Sequence, residues 1–422
     1  MVFINRFLFQ SNNHFMNLLN TKVAAKYVFL LLFTASAFGQ KADSLKREPF
    51  WSDQPKDIYD VLGRILNRKF SEESDSLKLE KKKVFYAVLP GVGYNRTIGL
   101  NLVVSNNLSF YIGDKRKTNL STVNSDLEYS LLGHQLLMPI LLNVWTNENN
   151  LNFLGEWRYF KYPTDTYGLG DDTKENIKDL IDYKYFKFHN TLFKPISRNL
   201  YLGFGLGLDY RWGINTVDTK TFFQEYNKNR KTTTSVGFLV NLKYDDRQNM
   251  NNPQGGFYGS LGLRANQKRL GSDSKWQSVN LELRKYFKFN SKPYHLLALW
   301  SYNSFTFGKN VPYFDLPSLG WDTQLNTGRG YIQGRFRGQN LIYNEAEYRY
   351  NITRNGLVGG VVFGNVTSVS NIGSYQFKRF YPGYGTGLRF KMNKASNVNF
   401  VFDYTFGTQG SRGFFFDLTE VF

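Results

Sequence analysis

From Lys83 to the end of the chain, apolar and polar side chains alternate with a period of two. That period places successive residues on opposite faces of a strand. Sixteen such segments can be read, with cores at 84–93, 98–111, 119–131, 134–146, 150–161, 181–193, 199–212, 233–245, 256–266, 276–289, 294–307, 339–351, 356–366, 383–392, 397–407 and 413–422. In the seventh, Leu200, Leu202, Phe204, Leu206, Leu208, Tyr210 and Trp212 share one face. Tyr201, Gly203, Gly205, Gly207, Asp209 and Arg211 share the other. Short polar turns at 147–150, 194–199, 290–293, 352–355 and 393–396 are interspersed with longer connections at 162–180, 213–232, 308–338 and 367–382. An even strand number, with short turns at one end and long loops at the other, predicts an all-β fold. It is a transmembrane antiparallel up-and-down β-barrel of about 16 strands, apolar towards lipid and polar within. Nothing repeats at the period of a propeller blade. Phe414, Phe416, Leu418 and Phe422 continue the alternation to the last residue, so all four are expected on one face of the closing strand, as a C-terminal barrel signal.

Before the barrel the period changes. Over 55–70, Ile58, Val61, Leu62, Ile65 and Leu66 recur at helical spacing, with Pro55 near the start and acids in the first turn. One short amphipathic N-terminal helix is expected, and Ile58, Leu62 and Ile65 are its candidate partner face. Its place at the barrel mouth, in the lumen or on another protein is left open. Further upstream, the apolar run 27–37 is too short to span a bilayer as a helix. Lys22 and Lys26 precede it, and Ala37 and Gly39 follow at small-x-small spacing, the pattern of a secretory signal peptide cut before Gln40. Either Met1 or Met16 fits as its start. Three parts are therefore expected: residues 1–39 as signal peptide, 40–83 as a periplasmic segment carrying the helix, and 84–422 as the outer-membrane barrel.

Composition refines this picture. A hydrophobic content of 41% and a mean hydropathy of −0.42 resemble a soluble protein, but alternation dilutes the apolar signal of a barrel. Aromatics reach 17%, enough for girdles at two membrane interfaces. The net charge is +19; Arg6, Lys22 and Lys26 lie in the signal, which leaves +16. The export signal argues against nucleic acid as a partner and assigns the charge to solvated loops, a basic lumen and anionic headgroups. There is no cysteine, which excludes a lipid-anchoring cysteine, disulfides and thiolate metal sites. His134, His189 and His295 lie far apart, and no G-x-S-x-G occurs. Asp165, Asp171, Asp172 and Glu175 share a loop without EF-hand spacing. No catalytic site, cofactor or metal is expected, and the chain is read as no enzyme.

Several motifs then line up in order. Asp245, Arg247, Asn249, Pro253 and Gly256 form a D-x-R-x-N…P-x-x-G turn; Arg329, Gly330 and Tyr331 sit in the long loop between the eleventh and twelfth segments. Asn344 to Arg349 is an acidic strand, 384–389 and 402–407 are aromatic-glycine strands, and the chain closes on Phe422. Together these resemble the Omp85 superfamily, with its BamA and TamA barrels and surface antigen D15 signature, over roughly 84–422. The short segment before the barrel is similar to POTRA-less members of the Bacteroidota type. The resemblance implies that the arginine of this sixth extracellular loop folds into the lumen against an acid on the wall. Period 2 puts Glu345, Glu347 and Arg349 on one face of the twelfth segment, so Glu347 is the first expected partner and Asp403 the second. The thirteenth segment has Val362 or a neighbour where members often carry Asp, so one expected partner is missing. The glycines Gly203, Gly205 and Gly207 are expected to leave room for a plug.

The resemblance implies accessory work in the insertion, assembly or translocation of proteins at the outer membrane. The partners would be outer-membrane lipid, other outer-membrane proteins, and periplasmic or lipoprotein components. Pro90, Gly91 and Gly93 fit a poorly paired first strand. A passive or gated pore, lined by Asp209, Arg211, Lys243, Glu282, Arg284 and Arg389, is the alternative from the residues. A docking barrel that works through its N-terminal helix is another.

Overall fold

A computed structural model describes residues 54–65, 84–95, 99–130, 135–216, 226, 230–250, 252–289, 295–394 and 397–422. The expected leader 1–39 and most of 40–83, including 66–70 of the helix, lie outside the described residues. One antiparallel sheet dominates, built from strands Val84–Asn95 (β1), Gly99–Phe110 (β2), Ser121–Ser130 (β3), Leu136–Trp145 (β4), Asn152–Lys161 (β5), Thr164–Thr166 (β6), Asp179–Ser197 (β7), Leu200–Thr216 (β8) and Thr232–Asp245 (β9). It continues with Gly256–Asn266 (β10), Trp276–Lys288 (β11), His295–Phe307 (β12), Asn340–Asn351 (β13), Val358–Val369 (β14), Tyr381–Asn393 (β15), Val398–Phe406 (β16) and Arg412–Leu418 (β17). The three-residue β6 pairs only with β7, inside the connection expected as a loop. The other sixteen are the predicted segments, each pairing with the next along the chain from β1–β2 to β16–β17.

The alternation of side chains decides what each face meets. On β8, Phe204 and Leu206 stand out from the sheet, while Asp209, Arg211 and Ile214 are buried inside. The buried apolar cores are therefore interior fillings. One joins Leu319, Tyr331 and Phe336 of the loop between β12 and β13 to Trp300, Leu341, Tyr343, Tyr381, Val401, Phe415 and Phe422. Another joins Tyr313 of the same loop to Leu137, Phe160, Ile181, Tyr183, Tyr185 and Ile214. The glycines of β8 do not make room for this loop as expected. A Cβ on Gly203 would meet Phe193 and Thr191 at 2.7 Å, and one on Gly207 would meet His189 at 3.2 Å. Their space is taken by neighbours on β7.

The sheet is not closed. Among the described residues no register joins β1 to β17. The end of β17 also departs from the expected strand. The predicted last strand runs to Phe422, but the structure ends it at Leu418. Thr419 takes a positive φ of 115°, and 419–422 turn into the lumen. Phe414, Phe416 and Leu418 keep the outward face, whereas Phe422 is 2% exposed and stacks on Trp300 at 5.2 Å. Placing Phe422 on the lipid face is thus corrected. Had the strand continued, Glu420 would have shared the outward face with Leu418, and a carboxylate there is costly in lipid. Inside, Arg389 Nε donates to Glu420 at 2.8 Å and Asn399 donates to its other oxygen at 2.6 Å.

The N-terminal helix is Ile58–Ile65 (α1). Asp57 and Asp60 accept each other's backbone N–H at 3.0 Å, a reciprocal cap of its first turn. It sits on two short turns, between β13 and β14 and between β15 and β16. Lys56 donates its N–H to Asn355 O at 3.2 Å. The Lys394 N–H donates to Asp57 Oδ2 at 3.0 Å, beside the register shift of β15 at Lys391/Asn393. Asp57 therefore caps both a helix and an irregular strand end. Ile58 and Leu62 are half-buried, while Ile65 is 69% exposed.

Candidate functional site: a buried arginine between loop and wall

The loop 308–339 enters the lumen, and glycines let it turn. Gly328, Gly330 and Gly334 have φ of 85°, 103° and 80°, a region that side-chain-bearing residues rarely adopt. A Cβ on Gly330 would lie 2.6 Å from Phe406 O, so the loop presses directly on the backbone of β16.

The turn delivers Arg329 into a wholly buried cluster. Its guanidinium donates to Glu345 and Glu347 on β13 through Nη2, and to Asp403 on β16 through Nη1 at 2.7 Å. The Cζ lies 3.6 Å from the centre of the Phe363 ring on β14, and Asn365 Nδ2 donates to the Arg329 carbonyl at 2.9 Å. Arg349 and Arg389 flank the acids: Arg349 binds Glu347, and Arg389 binds Asp403. Three guanidinium groups thus face Glu345, Glu347, Asp403 and Glu420. A buried charge is tolerable only when partnered in this way.

Backbone shape makes the cavity. On β15 the inward residues include Gly383, Gly385 and Gly387. A Cβ at these positions would meet the Arg329 carbonyl at 2.7 Å, the Phe363 ring at 2.5 Å and the Asp403 carboxylate. The stripe is the bed on which the arginine and its partners lie. Tyr331 closes the top: its hydroxyl donates to Pro382 O at 2.6 Å and accepts from the Thr408 N–H at 3.0 Å. Its ring meets Phe336 edge-on at 5.1 Å.

The structure thus brings Arg329, Gly330, Tyr331, Glu347 and Asp403 together. As expected, the thirteenth segment offers no carboxylate to the arginine. Val362 faces outward at 46% exposure, and the inward positions are Val361, Phe363 and Asn365. The ring and amide there contact Arg329, and Glu345 adds a third carboxylate. Period 2 puts Glu345 on the correct face but does not pick it out as a partner, and no motif marks Phe363 or Asn365. The one available signal for those two is their parity with Val361.

The remaining predicted residues lie elsewhere. At the turn between β9 and β10, Arg247 pairs with Asp245 at 2.8 Å and lies 4.4 Å over the Tyr258 ring. Burial alone would depress this guanidinium, but the hydrogen bond and charge of Asp245 outweigh it and hold its pKa above the ordinary value. Asn249 Oδ1 accepts the Asn252 N–H at 3.1 Å, and Asn252 Nδ2 donates across to Asn397 O at 3.3 Å. Pro253 is buried in this turn, and Gly256 opens β10 with φ 95°. Ile58, Leu62 and Ile65 are on the rim helix, apart from the arginine. Among the described residues no cluster of three or more metal-ligating side chains occurs.

An outward-apolar antiparallel meander filled by one arginine-pinned loop defines a plugged outer-membrane β-barrel. The Omp85 superfamily domain model matches residues 105–422, and the chain belongs to that superfamily. No POTRA domain falls in the matched region. Among solved structures, it is similar to BamA from Haemophilus ducreyi lacking POTRA domains 1–3, with a TM-score of 0.55 and 15% identity, over 85% of this chain and 81% of that one. It is also similar to CdiB from Acinetobacter baumannii, with a TM-score of 0.51 and 15% identity, over 80% of this chain and 60% of that one. At such identity these matches speak for the fold alone. No curated protein sequence matches the chain.

Proposed function

We propose that this barrel assists the insertion, assembly or translocation of other proteins at the outer membrane. The observation that carries the reading is the open sheet: β1 and β17 present edges with no register between them. An unpaired edge can template an incoming strand. Pro90 within β1 removes a ladder donor there. At nine and seven residues, β16 and β17 are the two shortest of the sixteen wall strands, and short strands thin the bilayer beside the edge. In this reading Arg329, Glu347 and Asp403 lock the loop to the wall that carries the edge, with Gly330 and Tyr331 shaping the lock. The turn around Asp245 and Arg247 stiffens the periplasmic end, and Phe414, Phe416, Leu418 and Phe422 mark the chain for barrel folding. Residues 1–39 direct export and are removed, 40–83 stay in the periplasm, and 84–422 span the membrane.

A docking role is the second reading. It is favoured by α1, which is held on the rim with Tyr59 and Ile65 exposed. Depleting the protein and quantifying the outer-membrane proteome separates the two. Loss of many barrels or surface lipoproteins together supports assembly. An unchanged proteome sinks it, and co-purification dependent on Ile58, Leu62 and Ile65 then tests docking.

A further inference from the structure

The plugging loop meets the wall at several places, and the contact through Arg329 is one of them; the tip is held by Arg158 on β5, which donates to Thr323 O at 2.7 Å, and by Arg284 on β11, which donates to Gln324 Oε1 at 3.1 Å. Its first half carries Tyr313, Phe314 and Asp315. Asp315 Oδ1 accepts from Arg211 Nη1 on β8 at 2.8 Å, and Oδ2 accepts from Ser235 Oγ on β9 at 2.6 Å. The Asp315 and Arg211 side chains are 4% and 6% exposed. Arg211 also stacks over Tyr185 at 4.2 Å. Arg337, on the returning limb, donates to the carbonyls of Tyr313 and Leu316 at 3.1 and 3.2 Å and so fixes the shape of this half. Tyr313 belongs to the apolar cluster of β4, β5, β7 and β8, whereas Leu319, Tyr331 and Phe336 belong to the cluster of β11–β17.

We infer that two of the loop's anchors have different duties, and that Asp315 is the positioning residue of the second. The anchor at Asp315 lies on the β8–β9 wall, far along the sheet from the β1 and β17 edges, and keeps the lumen shut to solutes. The anchor at Arg329 ties β13 to β16 and organises the strands next to the open edge. With the tip and the Arg329 end still seated, loss of Asp315 frees only the first half of the loop to move aside. The duty of the Arg329 anchor rests on the lock reading given above. The duty of the Asp315 anchor depends only on the loop's place in the lumen, so it stands or falls separately from any role in assembly.

The test uses the purified full chain in planar bilayers and in nanodiscs. Asp315→Ala is expected to raise the frequency of conducting openings at least tenfold, while amide exchange over 398–418 stays as in the parent protein. Arg329→Ala is expected to do the reverse, accelerating exchange over 398–418 at least tenfold with little new conductance. Ser235→Ala removes only one of the two Asp315 hydrogen bonds and should act as Asp315→Ala does, with smaller amplitude. It serves also where Asp315→Ala yields no folded barrel. The reciprocal exchange Asp315→Arg with Arg211→Asp should restore a quiet channel. The inference is overturned if Asp315→Ala and Ser235→Ala barrels are as tight as the parent. It is equally overturned if loss of Asp315 loosens 398–418 as much as loss of Arg329 does.

Discussion

The wall of β7–β9 and the wall of β16–β17 share one sheet and one alternation but differ in construction. The first has strands of nineteen, seventeen and fourteen residues; the second has nine and seven. Long ladders hold themselves together through backbone hydrogen bonds and cross-strand pairs. The short hairpin has less of both; buried ion pairs stand behind it as they do behind β8 and β9, and an inserted tail is added. Stability on that side is supplied from within the lumen. The β17 edge is thereby kept in place without a partner strand among the described residues.

Removing the interior support should therefore hurt the short wall first. Arg329→Ala leaves Glu345 buried without a guanidinium and Glu347 and Asp403 with only Arg349 and Arg389, and breaking a buried pair of this kind costs about 3–5 kcal/mol. Heat-induced mobility shifts on gels should show the largest drop in unfolding midpoint for this variant, with Glu347→Gln milder. Phe422→Ala empties the pocket against Trp300 and Tyr286 and should cost about 3 kcal/mol, at the low end for a large-to-small change because the tail can relax. Its signature is faster exchange in β17 with β8 unaffected; equal effects on both would erase the contrast between the walls. Asp57→Ala is the smallest. Loss of a helix cap costs about 1 kcal/mol, and limited proteolysis should then cut within 54–65 while the barrel stays intact.

Most of the wall is legible in the sequence because alternation is local: each strand announces itself through its own residues. The inward side chains of β13 are likewise set by parity. What a period cannot show is where a strand stops. Phe422 satisfies the count, and only Glu420, a charge due on the lipid face, hints that the chain turns inward. Nor can parity reveal partners contributed by other strands. Phe363 and Asn365 matter because β14 lies beside β13 and the loop lies over both, and Asp315 matters because its loop crosses to Arg211. Those facts belong to the assembled barrel. The β8 glycines mislead for the same reason, since their neighbours on β7 claim the space.

The inward face of β15 carries a further consequence. Gly383, Gly385 and Gly387 make no ion pair and offer no side chain, yet their backbone is the negative of the arginine, ring and carboxylate that rest on it. The wall is a mould, and the loop is its cast. In a library of single substitutions these three positions should tolerate change as poorly as the acids they accommodate, so a map of tolerance would outline the seated loop even from positions that carry no side chain to bond it.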